Sequence, residues 1–268
     1  MRSLPRRLVV LTLFLAYALP VYWLLATSLK STQDIFAHPA ALAFRPSLSA
    51  YATVLRQGIG HAALSTFIVA GGTTAVCLLL ALPAAYGLSR SVSMLVPALL
   101  ALLIVLQMVP QTSTLIPLFR VLGQWGLLGG YSGLIVADTA MLLPFAVLVL
   151  RPFFRAVPRE IEESAAVDGA SAVAIFVRIV LPVTRNGAMA VATLLFIITS
   201  GEFLYSISFL SDPGKYTLSA TLALQVTQYG IDWPALMAAS VMASVPAIAV
   251  FALGQRSVVR GLSAGTGK

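Results

Sequence analysis

Charge is scarce in this chain. Asp, Glu, Lys and Arg make up 10% of its 268 residues, 59% are hydrophobic, and mean hydropathy is +0.95. Soluble domains average about 25% charged and roughly 45–50% apolar residues, so this is the composition of a membrane protein. Cysteine is scarcer still: Cys77 stands alone inside an apolar run, which excludes an intrachain disulfide framework or a cysteine-based metal site. The two histidines, His38 and His61, lack H-E-x-x-H spacing and lie in or beside a polar segment. They offer neither a zinc-protease site nor the base of a Ser-His-Asp set within a membrane. No stretch fits G-x-x-x-x-G-K-[S/T], because Gly214-Lys215 has no glycine at the required upstream position. No nucleotide site of that kind is present, and no metal or cofactor of the chain's own is expected. The formal net charge of +8 raises the question of nucleic acid. The basic residues sit at the ends of apolar runs, however, which is a topological pattern, and no nucleic-acid partner is expected.

What the chain does have is long apolar runs, four of them free of charge and two with a single acid each (Asp138 and Glu202). About 20 residues cross the hydrocarbon core of a bilayer, and six runs reach or approach that length: Leu8–Leu29, Ala62–Ser89, Ser91–Phe119, Gly133–Leu150, Gly187–Leu210 and Trp233–Gln255. The expectation is an all-α polytopic membrane protein, a single transmembrane domain over 1–268 with six spans at about 8–29, 62–89, 92–117, 133–150, 187–210 and 233–255. The first run, preceded by Arg2, Arg6 and Arg7, also fits a cleaved signal peptide. It is longer than the usual 7–15-residue apolar core and no clear small-x-small site follows it, which favours a retained helix. Gly71-Gly72 permits close helix approach. Pro97, Pro110 and Pro117 break the third run, so a tilted or kinked helix is expected there, and Gln107 with Pro110 marks a distortion facing protein or water. Lys30–Gly60, the glycine-rich Arg120–Ser132 and the polar, turn-rich Ser211–Asp232 read as connections on the outer side. Six spans place both termini on one side. Twelve basic residues fall on that side and five on the other (Lys30, Arg45, Arg56, Arg120 and Lys215), so both termini are expected in the cytoplasm of a prokaryotic cell, inside its inner membrane.

The largest interruption is Pro158–Pro182, which holds four of the nine acidic residues (Glu160, Glu162, Glu163 and Asp168). Pro158 suits the first position of a helix, and carboxylates in the first turns complement its dipole. Gly169 supplies a residue able to take positive φ and end that helix. A second short helix follows with Ile175, Phe176 and Ile179 on one face, and Pro182 closes it. A hairpin merely lying on the bilayer would favour lysine and arginine on its polar face. Three glutamates facing an anionic leaflet argue for a protein partner instead.

Glu163-Ser164-Ala165, then Gly169, then Ile179-Val180-Leu181-Pro182 at the spacing found here resembles the EAA loop of the membrane subunits of binding-protein-dependent ABC importers. Asp168 and Phe176 fit the sugar-importer version. Ser164 stands where alanine is usual and Asn186 where a second proline often follows. Ser28-Leu29-Lys30, Ala84 to Arg90, Met108-Val109-Pro110 with Pro117-Leu118-Phe119, and Gly261 to Gly265 are similar, in that order, to the smaller permease subunit of maltose-type sugar importers. The resemblance implies a cytoplasmic coupling hairpin over 158–182, with Glu162, Glu163, Ala165, Asp168, Gly169, Phe176, Leu181 and Pro182 as its ATPase-coupling residues. It implies as partners a second permease subunit, two ATP-binding subunits that alone hold ATP, and an extracytoplasmic substrate-binding protein. The substrate class it implies is a sugar, an oligosaccharide or a related polyol, moved by a subunit that is itself no enzyme.

Within the fifth run, Glu202 is an expensive charge that usually faces a cavity or a polar partner. Glu202, Tyr205 and Gln107 are the residues expected on a translocation path; a structural hydrogen bond is the competing reading for Glu202. Asp138 lies near an interface and is expected to be solvated. Gln225 and Trp233 are aromatic or amide groups able to meet a sugar or to anchor span ends. A self-sufficient secondary transporter or channel remains an alternative, although no internal repeat of broken helices is visible.

Overall fold

In the computed structural model, residues 3–227 and 230–265 are described, with backbone alone over 3–6, 227 and 256–265. Arg2 and Lys268, counted above for sidedness, lie outside the described residues. The chain is helical almost throughout. Helix α1 (Ser3–Ser28) is followed by the short α2 (Thr32–Ala37) and α3 (Ser49–Arg56), then α4 (Ile59–Arg90), α5 (Leu95–Gln107), α6 (Gln111–Gln124) and α7 (Tyr131–Arg155). A hairpin contains α8 (Arg159–Val167), α9 (Ala172–Ile175), a π-helical turn (Phe176–Val180) and α10 (Leu181–Val183). Helices α11 (Arg185–Ser200), α12 (Leu204–Phe209) and α13 (Leu218–Ala223) lead through a two-stranded antiparallel pair, β1 (Val226–Thr227) and β2 (Gly230–Ile231), into α14 (Trp233–Gly265).

Among the described residues, four helices are long and apolar enough to cross a bilayer: Arg7–Ser28, Ile59–Arg90, Tyr131–Arg155 and Trp233–Gln255. They correspond to the first, second, fourth and sixth expected spans. The other two expected spans are broken. The third divides into α5 and α6, whose axes turn through 96°, so the expected kinked helix over 92–117 is instead two helices at a right angle. Pro110 has no N–H for a continuing helix and its φ of −63° with ψ of 137° is extended, so helix α6 starts afresh after it. The fifth divides at Gly201–Phe203, where α11 stops and α12 begins. A bend of 76° also separates Ala172–Val183 from α11.

Helix α4 is the centre of the bundle, packed along α7 and α11, while α11 also packs on α14 and α14 on α1. Small residues make that closeness possible: Ala81, Ala85 and Ala146 are fully buried around Cys77, Leu150, Phe154 and Leu195. Gly72 lies against α7, where an added Cβ would sit 2.6 Å from Ile135 Cδ1, whereas Gly71 faces open space. Some hydroxyls inside the helices return to their own backbone, as Thr66 Oγ1 does to the Ala62 carbonyl (2.9 Å) and Thr193 Oγ1 to that of Met189 (2.8 Å), whereas those of Thr73, Thr74, Thr139 and Thr199 have no partner among the described residues. Helix α1 leaves most of its apolar face outward, as a lipid-facing helix does.

Two of the expected connections differ. Helix α6 runs through Arg120 to Gln124, so the glycine turns begin only at Gly126 (φ +67°) and Gly129 (φ +78°). The middle of the third, residues 217–220, is packed onto the bundle, while 211–214 is exposed. Leu218 is buried and its N–H donates to Thr66 Oγ1 (2.8 Å), because the buried start of α13 needs an acceptor for its free N–H groups.

Candidate functional site: a hairpin clamp and a cavity between broken helices

The hairpin is built by local rules. Pro158 is the N-cap of α8 rather than its first helical residue, with φ −57° and ψ 137°. The helix ends in a Schellman motif: Gly169 takes φ +84°, its N–H donates to the Ala166 carbonyl (3.0 Å), and the Ala170 N–H reaches back to that of Ala165 (3.0 Å). Ser171 caps the next helix by accepting from the Ala174 N–H (3.3 Å). Pro182 does not close this second helix, as the sequence suggested, but lies inside α10. A proline ring clashes with the carbonyl four residues back. Here the chain widens into the π turn over Phe176–Val180, with the Leu181 N–H bonded to the Phe176 carbonyl, before the proline is reached. The widening also changes the inward face: Ile175 and Val180, five residues apart, are both buried, with Phe176 and Ile179 half-buried.

One side of the hairpin is bound to the bundle. Tyr86 donates its hydroxyl to Glu162 Oε2 (2.7 Å), Arg90 Nε donates to Oε1 (2.9 Å), and Arg90 Nη2 bridges Oε1 and the Val157 carbonyl (2.9 Å to the latter). The rings of Tyr86, Phe154 and Phe176 close around this clamp, with centroids 5.0 to 6.2 Å apart. Ala165 and Phe176 pack on the same core. Glu162, Ala165 and Phe176, three of the expected ATPase-coupling residues, are therefore turned toward the bundle. The reason is that Arg90 and Tyr86 lie on the α4 turn opposite Glu162, a pairing across 72 residues that no local pattern displays. Leu181 is half-buried, while Glu163, Asp168, Gly169 and Pro182 are exposed. Beside them Val167 (87% exposed) and Val173 (72% exposed) form an apolar surface bordered by acids.

The second site lies where the two broken spans meet. Glu202 occupies the break between α11 and α12 and accepts from the N–H groups of Tyr205 (2.7 Å) and Ser206 (3.3 Å), which α12 leaves free at its start. Gln111, at the start of α6, donates its Nε2 to the same carboxylate (2.9 Å). The two chain breaks are thus joined through one side chain. Gln107, at the end of α5, donates to the Met141 carbonyl of α7 (3.0 Å). Between these elements is a cavity of about 290 Å³ lined by Gln107, Gln111, Asp138, Thr199 and Glu202, with Met141, Leu142 and Ile198 as its apolar wall. Asp138, expected to be solvated, is only 3% exposed. Its Oδ2 and the Thr199 Oγ1 are buried with no hydrogen-bond partner among the described residues. Tyr205 lies behind the cavity, fully buried, hydrogen-bonded to Thr114 and stacked on Phe209 at 4.9 Å. Gln225 pairs with Gln57 (3.2 Å) and, like Trp233, lies away from the cavity. Gln111 and Thr199 went unnoticed in the sequence; an amide immediately after Pro110 was the available signal for the first.

No cluster of three or more His, Cys, Asp or Glu side chains able to hold a metal occurs among the described residues. Comparison with known proteins gives a consistent answer. The model of the family described as binding-protein-dependent transport system inner membrane component matches residues 77–264. The sulfoquinovosyl glycerol transport system permease protein SmoH of Agrobacterium fabrum is 31% identical, covering 97% of this chain and 93% of its own. The diacetylchitobiose uptake system permease protein NgcG of Streptomyces coelicolor is 32% identical, covering 92% of this chain and 83% of its own. Among solved structures, a chain of a bacterial ABC transporter involved in the import of the acidic polysaccharide alginate shares the fold, with a TM-score of 0.79, 18% identity and 95% of both chains covered. This chain therefore belongs to the inner membrane components of binding-protein-dependent transport systems, the multi-pass, non-catalytic permease subunits of ABC importers that work with ATPase and substrate-binding partners.

Proposed function

We propose that this subunit pairs with a second, different permease chain and passes a sugar, an oligosaccharide or a related polyol along a path that includes the cavity between the broken helices. The observation that carries this reading is the pair of buried, unpartnered oxygens, Asp138 Oδ2 and Thr199 Oγ1, facing a cavity that Glu202 and Gln111 also line. Buried acceptors without partners are costly inside a membrane, and a solute rich in hydroxyl donors satisfies them. The names of SmoH and NgcG, both transport permeases for sugar-containing solutes, support the substrate class.

The exposed face of the hairpin, with Glu163, Asp168, Val167 and Val173, docks on an ATPase subunit that alone binds ATP. Docking there turns ATP-driven movement into a lever on α11, which the hairpin enters through a 76° bend. The basic residues support the sidedness: Arg159 donates to the Arg90 carbonyl (3.2 Å) and Arg151 to that of Leu88 (3.2 Å), gathering positive charge at the hairpin's end. The hairpin and both termini are then cytoplasmic, and the protein lies in the inner membrane of a prokaryotic cell. The test is uptake by the reconstituted importer over a panel of neutral sugars, acidic sugars and polyols, with Asp138→Asn beside the parent. Loss of one carboxyl oxygen acceptor should lower uptake of the cognate solute about 10- to 100-fold with normal subunit assembly. Unchanged uptake would remove the cavity from the path.

A further inference from the structure

A second, larger cavity of about 620 Å³ lies beside the clamp, between the end of α4, the end of α7 and the start of α8. Four arginines converge on it: Arg90, Arg151, Arg155 and Arg159. Their settings differ. Arg90 is neutralised by Glu162, in the one salt bridge found among the described residues. Arg151 and Arg159 are held by backbone carbonyls alone, those of Leu88 and Arg90. Arg155 is exposed and makes no hydrogen bond or ion pair among the described residues. A carbonyl orients a guanidinium without cancelling its charge, so three arginines remain electrostatically unspent. Glu160, exposed on the rim, offsets one of them.

The position supplies the second constraint. Arg90 and Arg151 stand where the apolar runs of α4 and α7 end, which is the level of a bilayer's headgroups. Immediately beyond Arg90, Val92 (88% exposed), Met94 (95%) and Leu95 (68%) present an apolar surface beside the basic cavity. A free anion in water has no use for that surface, whereas a lipid has acyl chains to lay on it. Arginine suits the headgroup because its planar fork meets phosphate oxygens two at a time.

We infer that the Arg151–Arg155–Arg159 cavity binds a phosphate-bearing anion, supplied as the headgroup of an anionic membrane phospholipid whose chains lie along Val92–Leu95. Through Arg159, Arg90 and Val157 that headgroup touches the same elements that clamp the hairpin. An anionic leaflet therefore stiffens the attachment of α8, and a bilayer lacking anionic lipid loosens it.

The experiment is native mass spectrometry of the assembled importer, titrated with phosphatidylglycerol or phosphatidylethanolamine and repeated with inorganic phosphate as competitor. The parent should retain phosphatidylglycerol in preference to phosphatidylethanolamine. Arg155→Gln removes a charge that no part of the fold depends on, and should weaken the preferred binding about fivefold; Arg151→Gln/Arg155→Gln should weaken it roughly thirtyfold. Arg178→Gln, an exposed arginine away from the cavity, should leave it unchanged. Displacement of the lipid by inorganic phosphate at millimolar concentration would reassign the site to a free anion and overturn the lipid source. Equal adducts on parent and double variant would overturn the site altogether. Loss of ATPase from the Arg155→Gln complex, with lipid adducts unchanged, would show a protein contact in its place and likewise refute the inference.

Discussion

Glu162→Gln isolates the clamp that orients the hairpin. Glutamine keeps the length of the side chain and an acceptor for the Tyr86 hydroxyl, but it removes the charge that Arg90 faces through Nε and Nη2. The side chains of Arg90 and Glu162 are 17% and 13% exposed, so the pair is screened far less than a surface ion pair worth under about 1 kcal/mol. It is not dry enough to incur the roughly 3–5 kcal/mol of a fully buried pair broken on one side. An intermediate cost of about 2–3 kcal/mol follows, and it falls on attachment of the hairpin because both partners are local to it. At about 1.4 kcal/mol per tenfold, the detached population rises roughly 30- to 150-fold. The assay is hydrogen exchange of the amides of 159–183 in the assembled complex. Protection in α8 and the π turn should fall by that factor, while α4 and α7 stay protected. Adding Arg90→Gln should cost less than it does alone, because the pair is already broken and only its hydrogen bond to the Val157 carbonyl remains to be lost. Exchange in 159–183 equal to the parent's would refute the clamp, and so would additive effects of the two substitutions.

Gly169→Val should leave membrane insertion intact while ATPase co-purification and uptake fall together. The φ of +84° strains a β-branched residue by about 1–3 kcal/mol although nothing lies within 4 Å of its Cβ; wild-type uptake would deny the turn a coupling role. Reversal of the exposed acid in Glu163→Lys should weaken ATPase recruitment without altering exchange across the clamp, as pull-down with exchange measurements would reveal. Gly133→Ala should lower thermal stability much more than Gly72→Ala. Its new Cβ meets the Leu127 carbonyl oxygen at 2.3 Å, a backbone atom that cannot step aside, whereas Gly72 faces the flexible end of Ile135. Melting curves in one detergent rank the two, and equal losses would contradict the packing argument.

Much of this protein is written one residue at a time. The apolar runs locate α1, α4, α7 and α14 because a bilayer imposes length and apolarity on each helix separately. The turn at Gly169 is equally local, since positive φ and the two return hydrogen bonds involve only residues 165–170. The breaks were half legible. Pro110 announces that a helix ends, yet a proline does not state the angle at which the next one leaves, and the 96° turn depends on what α6 packs against. The π turn likewise arises where a proline's steric demand meets two buried positions five residues apart, Ile175 and Val180. Long-range pairing was not legible at all. Nothing in the order of residues says that Glu162 belongs to Arg90 and Tyr86 rather than to a partner, that Gln111 reaches Glu202 across 91 positions, or that Asp138 faces a cavity instead of water. Those choices were made by the tertiary fold, because packing alone decides which polar groups come within about 3 Å of one another and which are left facing a cavity.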